Sequence, residues 1–281
     1  MIKPYITKSI LMACSIICLS VSAQDQASKN IYGNEGRWYQ VEIIIFTQND
    51  ELNTEQWSTD IALSYPPKWK DLEPLTDEKI SERTEQLLIT EAFYELPVSE
   101  RLLNNNARDL KRSKKHRVLY HKAWRQPVWS RGEAPSLLIS GGDQYGEETE
   151  LNGSINLSVA RYLHLNTNLW FTQFANNYGQ EVTEWPILPT PPSITDDIKQ
   201  SVTTSETVNL WDNIAASTNE YDSILTKPYV SEKVVLLQQK RRMRSKEIHY
   251  IDHPVVGIIF YAIPYELPSP LAPLTTKEPD A

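Results

Sequence analysis

Cysteine and glycine are scarce in this chain. Of 281 residues, 2 are Cys and 9 are Gly. So few thiols exclude a disulfide scaffold and a cysteine-based zinc site. So few glycines exclude collagen-like and Gly-rich repeats. Long apolar runs are also missing beyond the N-terminus. With a mean hydropathy of −0.45, the chain does not read as a polytopic membrane protein. A length of 281 residues suggests one large domain or two small ones, with enough chain for a sizeable core.

The first 23 residues read as a secretory signal peptide. Lys3 and Lys8 form its charged region, Ser9 to Leu19 its apolar stretch, and Val21-Ser22-Ala23 its cleavage site. Cleavage after Ala23 removes both Cys14 and Cys18. Lipid attachment at Cys14 is disfavoured, because five residues after Lys8 are too few for an apolar region. The expected location is the periplasm. The mature chain then holds 26 basic and 36 acidic residues. Two clusters oppose that acidity. Arg108 to Arg125 holds eight Lys or Arg and one Asp, and Lys240 to Lys246 holds five and no acid. Two such clusters in an acidic exported protein suggest an anion-binding face. Export argues against nucleic acid and for an acidic envelope polymer.

Along the chain, 24–36 reads as a flexible leader. Arg37 to Thr47 reads as a central strand, β-branched and apolar from Val41 to Phe46. Asn49 to Pro74 reads as a loop holding Trp57 and Trp69. Two helices follow. One runs over Asp77 to Tyr94, and one opens at Ser99 as N-cap and ends near Arg112. His116 to Gln126 reads as a strand ended by Pro127. Its alternation sets Val118, Tyr120, Lys122 and Trp124 on one face and Leu119, His121, Ala123 and Arg125 on the other. Pro135 to Ser140 reads as a short strand closed by a Gly141-Gly142 turn. In Leu151 to Phe171 the odd positions are mostly apolar and the even ones mostly polar. Unbroken parity favours one long half-buried strand over two strands around a tight odd-length turn. A loop insert spans about 178–230, with a short helix near Val208 to Ala216. Ser231 to Arg244, Glu247 to Asp252 and Val255 to Pro264 read as strands, and 267–281 as a disordered Pro-rich tail. The expected architecture is a single α+β domain over 37–266. It is a largely antiparallel sheet with the two helices packed on one face.

Catalytic chemistry is thinly represented. His249-Tyr250-Ile251-Asp252-His253 has two imidazoles and a carboxylate, but its spacing suits a hydrogen-bonded turn before Pro254 better than a zinc site. There is no Gly-x-Ser-x-Gly elbow and no phosphate loop. No cofactor or metal is expected. The 8 Trp and 14 Tyr outnumber 5 Phe, which favours part-wet binding surfaces. Trp124-Arg125 and Arg161-Tyr162 with His164 each combine a ring, a cation and further donors on a strand, a platform for a polar ligand. The basic clusters add Lys111, Arg112, Lys114, Lys115, Arg241 and Arg242, and His249 completes the candidate set.

WYQVEIIIF, Glu55-Gln56-Trp57, RVLYHKAWRQP from Arg117, ELNGSINLSVARYLHL from Glu150 and RRMRSKEIHYIDHPVVGIIFYAIPYE from Arg241 stand in one order. That pattern resembles the CsiV family of periplasmic peptidoglycan-binding proteins. The resemblance implies a non-enzymatic role in peptidoglycan assembly. It also implies a link to an outer-membrane lipoprotein that activates a bifunctional penicillin-binding synthase. The rival readings are an envelope hydrolase using His249, Asp252 or His253, and a scaffold that binds only proteins by strand addition.

Overall fold

The first strand, β1 (Arg37–Gln48), is buried on both faces, which explains its continuous apolar run. The computed structural model describes residues 37–48, 57–74, 92–178, 184–193 and 227–266. The other strands are β2 (Trp69–Lys70), β3 (His116–Val128), β4 (Ser136–Tyr145), β5 (Glu148–Val159), β6 (Leu163–Asn176), β7 (Tyr229–Met243), β8 (Ile248–Ile251) and β9 (Val256–Pro264). They form two sheets, in the orders β3-β1-β9-β8 and β2-β4-β5-β6-β7. Every pairing is antiparallel except that of β2 with β4.

One core lies between the sheets. Val41, Ile43 and Ile45 of β1 meet Leu151, Leu165, Leu169 and Leu237 of the five-stranded sheet. The even positions of β1 face the other way. There Ile44 and Phe46 pack against Leu103 and Ala107 at the start of α1 (Asn104–Arg112), the one α-helix among the described residues. Glu42 lies on that side and is 1% exposed. Its carboxylate accepts the Leu102 and Leu103 amides at 2.5 and 2.9 Å and lies 2.7 Å from His121 Nε2. A side chain of β1 thus satisfies amides at the start of α1 that have no partner within the helix.

The expected α+β class with two helices on one face is corrected: the described chain is mainly β. Ser99 lies in a one-turn 3₁₀ helix, Val98–Glu100, and does not cap α1. Glu42 takes that role, at amides three and four residues further on, which local sequence could not reveal. The helix expected over Asp77 to Tyr94 lies largely outside the described residues, and Phe93 and Tyr94 at its end are not helical. The signal peptide, the leader, the Val208 to Ala216 helix and the tail also lie outside them. No described helix is long and apolar enough to cross a membrane.

Leu151 to Phe171 is two strands. β5 and β6 pair from Leu151↔Phe171 to Val159↔Leu163 around Ala160, Arg161 and Tyr162. A three-residue turn pairs odd positions with odd, so the parity runs through it unbroken. Gly141-Gly142 is not a turn either, because β4 continues to Tyr145. A Cβ at Gly141 would lie 2.7 Å from the Leu119 carbonyl oxygen, so glycine permits a close approach to β3. The turn comes at Gly146, with φ +67°. β3 runs through Pro127, tolerated on an edge strand. A bulge opposite Ile45 and Phe46 moves Val118 to the α1 side and Leu119 to the core, the reverse of simple alternation.

Candidate functional site

The outer face of the five-stranded sheet carries the even positions of β5, β6 and β7. Pairing aligns them in rows. Ser136, Asn156, Asn166 and Lys240 form one row across four strands. Ser154, Asn168 and Gln238 form the next. Ser158, His164 and Arg242 form a third on the other side. Directly paired side chains stand about 4.5–5.5 Å apart at Cβ, so the rows make a polar band in which Ser136, Ser154 and Ser158 are buried.

Segment 57–74 walls this surface. Tyr65 packs edge-on against Trp170 of β6, ring centroids 5.0 Å apart. Asn168 Nδ2 donates to the Ser64 carbonyl at 2.8 Å. Between Tyr65-Pro66-Pro67 and the rows lies a groove of about 730 Å³. Burial, with the Glu148 charge as a smaller contribution, pushes the Tyr65 phenol above its ordinary pKa, so it stays a neutral hydroxyl.

The groove combines fixed and free polar groups. Asn156 Nδ2 is held by the Ala134 and Pro135 carbonyls at 2.8 and 3.0 Å. Gln238 Nε2 donates to Asn168 Oδ1 at 2.8 Å. These bonds lock the frame. Asn166 and Lys240 have no side-chain hydrogen bond among the described residues. An unoccupied amide can donate and accept at once, which suits hydroxyl and acetamido groups. Among the described residues the groove lining contains no Asp or Glu.

At the β5–β6 turn Tyr162 carries cations over its ring, with Arg242 at 4.8 Å and Arg161 at 5.6 Å. Of the residues singled out by sequence, Arg161, Tyr162, His164 and Arg242 therefore gather at one end of the polar rows. They stand on a turn and two strands, not on one rigid strand. Arg241 pairs with Leu165 and takes the opposite parity on β7.

The remaining candidates lie elsewhere. Trp124 is 1% exposed in the core, its Nε1 donating to Gln126 Oε1 at 2.7 Å, so it offers no ring to a ligand. Arg125 takes the other face of β3, bonds Glu100 at 2.5 Å and lies 4.4 Å over Tyr265. Lys111 and Arg112 are exposed in the last turn of α1, where cations suit the helix dipole. Lys114 and Lys115 line a separate pocket between the sheets. His249 Nε2 lies 2.9 Å from the Arg244 carbonyl oxygen. Asp252 Oδ1 accepts Gln48 Nε2 and Tyr250 OH at 2.9 and 2.8 Å, and the His253 ring lies 5.2 Å from Trp57. Among the described residues no three His, Cys, Asp or Glu side chains are placed to share a metal ion.

Sequence reasoning missed Asn156, Asn166, Asn168, Gln238 and Tyr65, while Lys240 stood at the head of the Lys240 to Lys246 basic cluster. The polar even positions of 151–171 held the signal for the first three. Treating the stretch as one strand hid their facing across two.

No curated protein gives a significant match to the chain, and no solved structure does. The model of the CsiV family, described as a peptidoglycan-binding protein, matches residues 6–265. With that match running from before β1 to beyond β9, the chain belongs to the CsiV family.

Proposed function

We propose that this protein binds peptidoglycan without cleaving it, through the amide-lined groove on the outer face of its five-stranded sheet. The observation that carries the reading is the row Ser136, Asn156, Asn166 and Lys240 beneath the Tyr65-Pro66-Pro67 wall. Glycan strands present hydroxyl and acetamido groups, which hydrogen-bond with side-chain amides, and flat sugar faces, which pack on rings such as Tyr162. Lys240 and Arg242 add attraction for the carboxylates of the polymer. Glycoside cleavage uses paired carboxylates, and among the described residues this groove offers none. The family description supports the polymer as ligand and the cell envelope as location. Export by a signal peptide cleaved after Ala23 completes the reading. Its cellular role is then to support wall assembly, by way of an outer-membrane lipoprotein that activates a bifunctional penicillin-binding synthase.

Co-sedimentation with purified sacculi tests the binding. The protein pellets with sacculi, and Asn166→Leu combined with Tyr162→Ala leaves most of it in the supernatant while it stays folded. Full pelleting of the double variant would move the site off this face.

A further inference from the structure

At one end the two sheets part around a pocket of about 570 Å³, distinct from the outer groove. Lys114 and Lys115, from the turn between α1 and β3, line it beside Arg117. Arg117 is already paired, with two carboxylates. Its Nη2 donates to both Glu150 oxygens at 2.8 and 2.7 Å, and its Nη1 lies 3.1 Å from Asp143 Oδ2. Lys114 and Lys115 are exposed and have no carboxylate partner among the described residues. Glu232 of β7 lines the same pocket and has no cationic partner there either. Phe171 and Phe174 add apolar surface, with Tyr145 stacked on Phe174 at 4.9 Å.

The free charges are thus two ammonium groups and one carboxylate around aromatic rings. A small inorganic anion would leave Glu232 and the rings unused. A neutral sugar would leave all three charges unused. A short peptide with more carboxylates than amines matches the whole set. Such peptides are the non-sugar half of peptidoglycan. We propose that this mouth binds the peptide stem of the polymer, its carboxylates on Lys114 and Lys115 and an ammonium on Glu232. This rests on the peptidoglycan reading and assigns the polymer's two halves to two sites.

The test is calorimetric titration of the full mature protein with the sugar-free tetrapeptide released from sacculi by amidase. The peptide binds, and Lys114→Gln with Lys115→Gln weakens it by about tenfold or more, as for the loss of charge-assisted hydrogen bonds. Amidating the peptide carboxylates weakens binding to the unaltered protein comparably. Glu232→Gln weakens binding of the free-amine peptide but not of its amine-acetylated form. Circular dichroism confirms that each variant is folded. Peptide binding that the double lysine variant leaves intact overturns the proposal. So does an absence of peptide binding. If sacculi still bind in that case, the groove reading survives and only the peptide mouth fails. If sacculi fail to bind as well, the peptidoglycan reading falls with it.

Discussion

Arg242 lies over the ring of Tyr162 at 4.8 Å, which ties the end of β7 to the β5–β6 turn. The contact fixes an otherwise exposed turn beside the polar rows. It also sets a ring and a cation together at the end of the polar rows, beyond the groove lining.

Tyr162 and its neighbour Leu163 therefore separate binding from stability. Leu163 is 3% exposed between the sheets, and Leu163→Ala costs about 2–5 kcal/mol in chemical denaturation. Tyr162→Ala forfeits mainly a cation–π contact at a wet site, about 0.5–1 kcal/mol, yet lowers affinity for glycan strands. The reverse pattern, with Tyr162→Ala unfolding the protein, would make that ring part of the core.

Glu42 provides a second stability test. Its buried carboxylate serves the Leu102 and Leu103 amides and His121 together. Glu42→Ala leaves those partners unsatisfied and costs about 1–3 kcal/mol or more by thermal unfolding, as for orphaning buried hydrogen-bond donors. Hydrogen exchange at the start of α1 accelerates in the same variant. An unchanged melting temperature would mean that water replaces the carboxylate at no cost.

The β8–β9 turn gives a pH prediction. Hydrogen bonds from Gln48 first, and then from Tyr250, hold the Asp252 carboxyl below the usual aspartate range. Because folding lowers this pKa, its stabilising contribution is fully present above the ordinary aspartate range. It is lost as pH falls through the folded midpoint. Gln48→Ala raises that midpoint in a carboxyl chemical-shift titration. A midpoint that does not move would show that the Gln48 bond is not formed in solution.

Gly153 tests the floor of the groove. Its φ is +123°, and a Cβ there would lie 2.2 Å from the Asn168 carbonyl oxygen on β6. Backbone strain of about 1–3 kcal/mol adds to that clash. Gly153→Ala therefore lowers the melting temperature and perturbs the β5–β6 pairing beneath Asn168. A variant as stable as the parent would show that the two strands can part there freely.

Much of the sheet was legible before the fold was known. β1 and β9 follow from their apolar runs, because their neighbours bury them as pattern alone suggests, and the segments of β7 and β8 follow from β-prone alternation even though much of each is exposed. What failed has specific causes. A three-residue turn at Ala160 to Tyr162 leaves parity intact, so periodicity cannot detect it. Gly141-Gly142 looks like punctuation but marks a close approach to β3. The cap at α1 comes from Glu42 on β1, far from the helix in sequence. At the candidate site, Arg161, Tyr162, His164 and Arg242 were legible as chemistry. Asn166 was not, nor was its place opposite Lys240 of the basic cluster, because only cross-strand register makes the two neighbours. Trp124 misled because an indole beside Arg125 reads the same in sequence whether it faces solvent or core.

The most direct test of the account is nuclear magnetic resonance of the ¹⁵N-labelled mature protein titrated with soluble, peptide-free glycan strands. The account predicts that the largest shifts fall on the Asn156, Asn166 and Gln238 side-chain amides and on the Tyr162 and Lys240 backbone. The α1 amides stay still. Shifts centred on α1 and the outer side of the β3-β1-β9-β8 sheet, or no shifts at saturating glycan, would contradict it.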